Sequence, residues 1–236
     1  MREDPREAGQ GVTLQAYDLR EFVCPGHEAC PGCGAALALR LALKAVGPSS
    51  VIVMPRSCAT FSQGPFPYTS TRVPIVHAPA GTAAAFASGV RAALDAAGKK
   101  DMAVIAWADP EDASGAGLAH LIRAALRRED IIYVLCDAHT QKGKDAKERL
   151  SAIIPSVKAD YLASATPALP HDFDAKFKKA RSLGGFRFIH VLATCPGSAG
   201  ADPSRSIEIM REMSLSGAFP IYESDNARGA QLKTEE

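Results

Sequence analysis

An α/β fold, a mainly parallel sheet with helices on both faces, is what the sequence predicts. Three observations carry the prediction. Short, continuously apolar runs recur at 50–54, 102–106, 131–136, 161–165 and 188–193, each bounded by polar or turn-forming residues. Stretches of helical character fill the intervals between them. A chain of 236 residues, 47% of them hydrophobic, is long enough to bury one large core.

The runs are apolar on both faces rather than alternating, as suits strands buried on both sides of a parallel sheet. Residues 35–45 and 82–97 are rich in Ala and Leu, which favour helix. Residues 117–128 keep an apolar face through Leu118, Leu121, Ile122 and Leu126, and 172–183 are amphipathic. A last helix is expected to start at Asp202 with Pro203 in its first turn, to show Ile207, Met210 and Met213 on one face, and to stop near Gly217. The expected organisation is an N-terminal extension over 1–20, a single domain over 21–223 and a polar tail over 224–236.

Charge excludes some functions. The 27 basic and 26 acidic residues leave a net charge of +1, which offers no field to hold nucleic acid or an anionic membrane, so neither is expected as a partner. The charge-rich stretch 142–149 reads as a solvated helix or loop. No stretch approaches the roughly 20 apolar residues of a membrane span, and the chain is expected in the cytoplasm. In that compartment the six cysteines are unsuited to a disulfide framework, which leaves metal or redox chemistry as their leading use.

Cys30 and Cys33 in Cys-Pro-Gly-Cys place two thiols on one tight turn, which suits zinc, an iron-sulfur cluster or a redox disulfide. Cys58 follows the run ending at Met54, and Cys195 follows the run ending at Ala193. Both therefore fall at the carboxyl edge of the predicted sheet, where ligands bind in such folds, as do Asp109 and Asp137. Four thiolates satisfy zinc or an iron-sulfur cluster equally well. Cys136 ends a very apolar run and reads as a small core residue, while Cys24 is a spare thiol.

The segments Gly-His-Glu-Ala-Cys-Pro-Gly-Cys-Gly from Gly26, Ser-Cys-Ala-Thr-Phe-Ser from Ser57, Gly81 to Gly89, His190 to Pro196 and Ser216 to Glu223 together resemble the β subunit of 2-oxoacid:ferredoxin oxidoreductases of the pyruvate synthase type. The resemblance runs along most of the chain and implies a domain of thiamine diphosphate-binding type. It selects a [4Fe-4S] cluster over zinc and makes Cys30, Cys33, Cys58 and Cys195 its ligands, with a shortened interval before the last. It implies α-, γ- and δ-type partner subunits and a ferredoxin-like electron acceptor.

The family's thiamine diphosphate and Mg2+ motif is altered here. Pro110 stands where a metal-binding Asp belongs and Ala138 where a metal-binding Asn belongs. Proline supplies neither a carboxylate nor an N–H. Cofactor contacts then fall to Asp109, Asp112, Asp137 and His139, with Thr140 as another replacement for the amide. Two expectations follow: a β-type subunit whose cluster relays electrons from 2-oxoacid decarboxylation, or a non-catalytic electron-transfer and assembly subunit that has lost thiamine diphosphate.

Overall fold

The computed structural model describes residues 19–65, 67–138, 157–225 and 233–234. Five strands are buried along their whole length: β1 (Ser50–Pro55), β3 (Ala103–Ala108), β4 (Ile131–Asp137), β5 (Tyr161–Ala165) and β6 (Phe186–Leu192). These are the five predicted apolar runs, with ends shifted by one or two residues; β3 starts one residue later and β6 stops one residue earlier than predicted. Strand β2 (Ile75–Ala78) is a half-exposed edge strand of four residues, too short and too polar to announce itself. At the other edge lie β7 (Tyr222–Asp225) and β8 (Lys233–Thr234).

The sheet order is β2-β1-β3-β4-β6-β5-β7-β8. The first six strands are parallel, and β7 and β8 are added antiparallel. The polar end of the chain, expected to be a tail from 224, thus supplies half of β7 and all of β8.

Helices cover both faces, as continuously apolar strands require. On one face α1 (Gly34–Val46) sets Ala38, Leu39, Ala42 and Leu43 on Ile52, Ile105, Trp107 and Val134. The chain reaches the opposite face through the short α2 (Cys58–Gln63) and β2, and there α3 (Ala83–Ala96) and α4 (Ala116–Leu126) bury Ala84, Ala87, Leu121 and Ala124 against Val104, Tyr133, Phe186 and Phe188. Helix α5 (Pro170–Ser182) returns to the α1 side, where Phe173 stacks on Phe177 at 4.5 Å. Each such fully buried side chain contributes about 1.5–3 kcal/mol.

After β6 a four-residue helix, α6 (Pro196–Ala199), leads to the predicted last helix, which is split. Asp202 caps a 3-10 turn (Pro203–Arg205) by accepting the Ser204 N–H at 2.9 Å, and α7 (Ser206–Leu215) follows. Met210 and Met213 pack with Phe219 as the pattern predicts, while Ile207 stays 38% exposed. No described helix is long and apolar enough to cross a membrane. The stretch 142–149, His139 and Thr140 lie outside the described residues.

Candidate metal centre

The parallel strands deliver the chemistry-bearing residues to one edge. Cys58 opens α2 three residues beyond β1, Asp109 follows β3, Asp137 ends β4, and Cys195 lies three residues beyond β6. The strand order turns back between β1 and β3, and a crevice for ligands opens beyond the strand ends at such a reversal.

All four predicted ligand cysteines line a single cavity of about 120 Å³, together with Glu28, Ala36, Gln63 and Ala138. Backbone interactions fix the four positions. The Cys33 N–H donates to the Cys30 carbonyl at 3.1 Å, closing the tight turn. At the tip of that turn Gly32 has φ +69, and a Cβ there would clash with the Pro203 carbonyl oxygen, so only glycine fits. The Ser206 hydroxyl donates to the Gly32 carbonyl at 2.7 Å, tying the turn to α7.

The next residue but one makes a second close approach. The Gly34 N–H donates to the Thr194 carbonyl at 3.0 Å, and a Cβ on Gly34 would lie 2.5 Å from the Thr194 nitrogen. Gly34 therefore holds the Cys30–Cys33 turn against the Cys195 loop. The Glu28 N–H donates to the Ser62 carbonyl at 2.9 Å, which brings α2 and Cys58 to the same place. Ahead of the turn, Glu21 pairs with Arg40 at 2.7 Å and Lys44 at 2.8 Å on α1. The Arg40 guanidinium holds the Glu21 carboxyl down to about 2.

Cys33 and Cys195 are the N-cap residues of α1 and α6, and Cys58 is the first residue of α2, so three helix starts face the site with their partial positive charge. Burial pushes the Cys33 thiol up, and the neighbouring sulfurs push it further, against the N–H groups of Ala36 and Ala35; Cys58, an exposed residue, is raised by partial desolvation of its sulfur and by the neighbouring sulfurs and Asp109. Mutual repulsion of this kind keeps the thiols neutral, and a cationic centre between them would reverse it. The Thr194 hydroxyl, beside Cys195, is buried and has no hydrogen-bond partner among the described residues.

Among the described residues no three His, Cys, Asp or Glu side chains converge tightly enough to share one metal ion. Four cysteines on one cavity are a donor set that suits zinc or an iron-sulfur cluster, with the buried Thr194 hydroxyl beside it. Cys30 and Cys58 are exposed, so the cavity is open to solvent on one side. On the other side of the turn a groove of about 570 Å³ is bounded by Cys24, His27, Arg40 and Ile207.

Cys136 is buried in the core, as expected, and burial pushes its thiol well up. Cys24 accepts a hydrogen bond from the Arg72 guanidinium at 3.3 Å and lies outside the cavity. His190 is a core residue of β6, 4.7 Å from the Phe219 ring and 3.7 Å from Asp137.

The carboxylates proposed for thiamine diphosphate and Mg2+ take other partners. Asp109 accepts the Asp112 N–H at 2.8 Å, as a turn cap does. Asp112 is 3% exposed, and its Oδ1 accepts the Gly81 N–H at 2.5 Å. Burial raises its carboxyl to about 6, against the lowering effect of the N–H groups of Gly81, Thr82 and Ala83. Asp137 is buried beside His190. Among the described residues Asp109, Asp112 and Asp137 are thus engaged by the protein itself, and Pro110 and Ala138 offer no metal-binding side chain. Ser206 was invisible in the sequence, because nothing local signals a contact spanning 174 positions.

No protein-family model matches the chain. Among curated proteins it is 32% identical to pyruvate synthase subunit PorB of Methanothermobacter thermautotrophicus, over 87% of this chain and 81% of the relative. It is 33% identical to the protein of that name from Methanocaldococcus jannaschii, over 91% and 84% of the two chains. Ketoisovalerate oxidoreductase subunit VorB of Pyrococcus horikoshii is 31% identical over 96% and 82%. Among solved structures, a 2-oxoglutarate:ferredoxin oxidoreductase from Magnetococcus marinus aligns with TM-score 0.59 at 18% identity, covering 80% of this chain and 79% of that one. A putative thiamin diphosphate-dependent enzyme from Mycobacterium smegmatis aligns with TM-score 0.52 at 17% identity, covering 76% and 33%. These two likenesses establish the fold, which is the one predicted.

Proposed function

Since the chain belongs to the β-subunit family of 2-oxoacid:ferredoxin oxidoreductases, alongside PorB and VorB, we propose that it carries a [4Fe-4S] cluster on Cys30, Cys33, Cys58 and Cys195 and relays electrons within such a complex. The observation that carries the reading is the convergence of these four thiols, from three separated segments, on one cavity. When bound, the cluster supplies a one-electron exit for oxidative decarboxylation of a 2-oxoacid.

The chain's own residues hold and insulate that centre. The Cys30–Cys33 turn, locked by Gly32, Gly34 and Ser206, fixes two thiolates. The starts of α1, α2 and α6 direct partial positive charge at the sulfurs. Exposure of Cys30 and Cys58 calls for a covering surface, which the α-, γ- or δ-type subunits provide, with a ferredoxin-like acceptor beyond. Thiols kept as metal ligands also fit the reducing cytoplasm.

Within this family a non-catalytic electron-transfer and assembly subunit is the second reading. The substitution of Pro110 and Ala138 and the engagement of Asp112 with α3 favour it. To test the cluster, the full chain and four single Cys→Ser variants are purified without oxygen and their visible spectra compared. The proposal expects the broad iron-sulfur absorption in the wild type and its loss or bleaching in all four variants. Unchanged spectra in the variants would sink it.

A further inference from the structure

Helix α3 has 14 residues, and its N-cap residue Thr82 makes no side-chain capping bond. The Thr82 hydroxyl donates away, to the Pro79 carbonyl at 2.6 Å. The first N–H groups of the helix would therefore lack acceptors, which a helix start needs. The acceptor comes instead from 31 positions downstream: Asp112 Oδ1 takes the Gly81 N–H at 2.5 Å, and the N–H groups of Thr82 and Ala83 act on the same carboxylate.

The other oxygen, Oδ2, is buried with no hydrogen-bond partner among the described residues, on a side chain 3% exposed. An ordinary cap is half in water and wastes no acceptor. A buried carboxylate with one oxygen on backbone N–H groups and the other unused is instead placed as the oxygens of a bound phosphate are, at a helix start near the reversal of strand order. Two glycines shape the slot: Gly81 adopts φ +77, and a Cβ on Gly117 would overlap the Asp112 carbonyl oxygen.

We propose that the Asp112 carboxylate is this chain's resident occupant of an oxyanion slot at the start of α3, which keeps phosphate-class ligands, thiamine diphosphate among them, out of the crevice beyond β3. The inference sharpens the second reading of function. It is tested by anion binding rather than by iron, so the two can fail separately.

The experiment titrates the full chain with inorganic pyrophosphate and with thiamine diphosphate plus Mg2+, by calorimetry, beside Asp112→Ala and Asp112→Asn. The wild type is expected to bind neither saturably. Asp112→Ala vacates the slot and is expected to gain affinity for pyrophosphate by about tenfold or more, while Asp112→Asn, which refills it with an isosteric amide, is not. Iron content should be the same in all three. Stoichiometric binding of thiamine diphosphate by the wild type would overturn the inference even if Asp112→Ala failed to fold. So would a folded Asp112→Ala that gains no affinity.

Discussion

Replacing Gly34 with Ala tests how the cysteine site is held together. The added Cβ would lie 2.5 Å from the Thr194 nitrogen and 3.1 Å from its carbonyl oxygen, both backbone atoms that cannot swing aside. Either α1 or the Cys195 loop must retreat, which breaks the 3.0 Å bond from the Gly34 N–H to Thr194. The lost bond is worth about 1 kcal/mol and forced overpacking about 1–3 kcal/mol. Ala in place of Gly near a helix start returns up to about 1 kcal/mol. The net is about 2 kcal/mol of destabilisation, or roughly 4–8 °C in melting temperature for a chain of this size. Gly89→Ala in α3 is the control, because nothing lies within 4 Å of its Cβ position, and it should stabilise by about 0.5–1 kcal/mol. Thermal melts of the three full chains, with iron content measured alongside, decide the matter. A Gly34→Ala protein that melts with the wild type and retains its iron would refute the reasoning.

Phe177→Ala opens a cavity between α1 and α5 and should lower stability by about 3–5 kcal/mol in urea titrations, with no selective effect on the cysteine site. Ser206→Ala leaves the Gly32 carbonyl without its 2.7 Å donor, and should lower stability by about 1 kcal/mol while loosening iron retention. Burial raises the Asp112 carboxyl from 3.8 to about 6. Its contribution to stability is therefore fully present below the unfolded value and is lost as pH rises through the folded one. Urea midpoints of wild type and Asp112→Asn from acid to neutral pH should diverge across that interval, the wild type falling relative to the variant; parallel curves would contradict the assignment.

The sheet was legible because its central strands are buried on both faces and so are apolar without interruption, as in Val51 to Met54 or Ile131 to Cys136. The edges were not. Strands β2 and β7 are half-exposed, and their polarity is that of loops. The grouping of the four cysteines was legible because spacing, strand ends and family likeness pointed to the same residues, and the fold brings them to one cavity; whether they hold a cluster is what the Cys→Ser spectra decide. What held them there was hidden. Gly34 needs its missing side chain because of Thr194, and Gly32 because of Pro203, contacts that only the folded chain creates. Asp112 stood out as a carboxylate near a strand end, yet its partners are the backbone of a helix that begins far upstream, which no local pattern encodes.

The most direct measurement is the iron and acid-labile sulfide content of the complex, purified without oxygen and containing either wild-type chain or Cys58→Ser. The account predicts that the two differ by about four iron and four sulfide per chain, the content of one [4Fe-4S] centre. Equal iron and sulfide in both, or zinc without sulfide in the wild type, would contradict it.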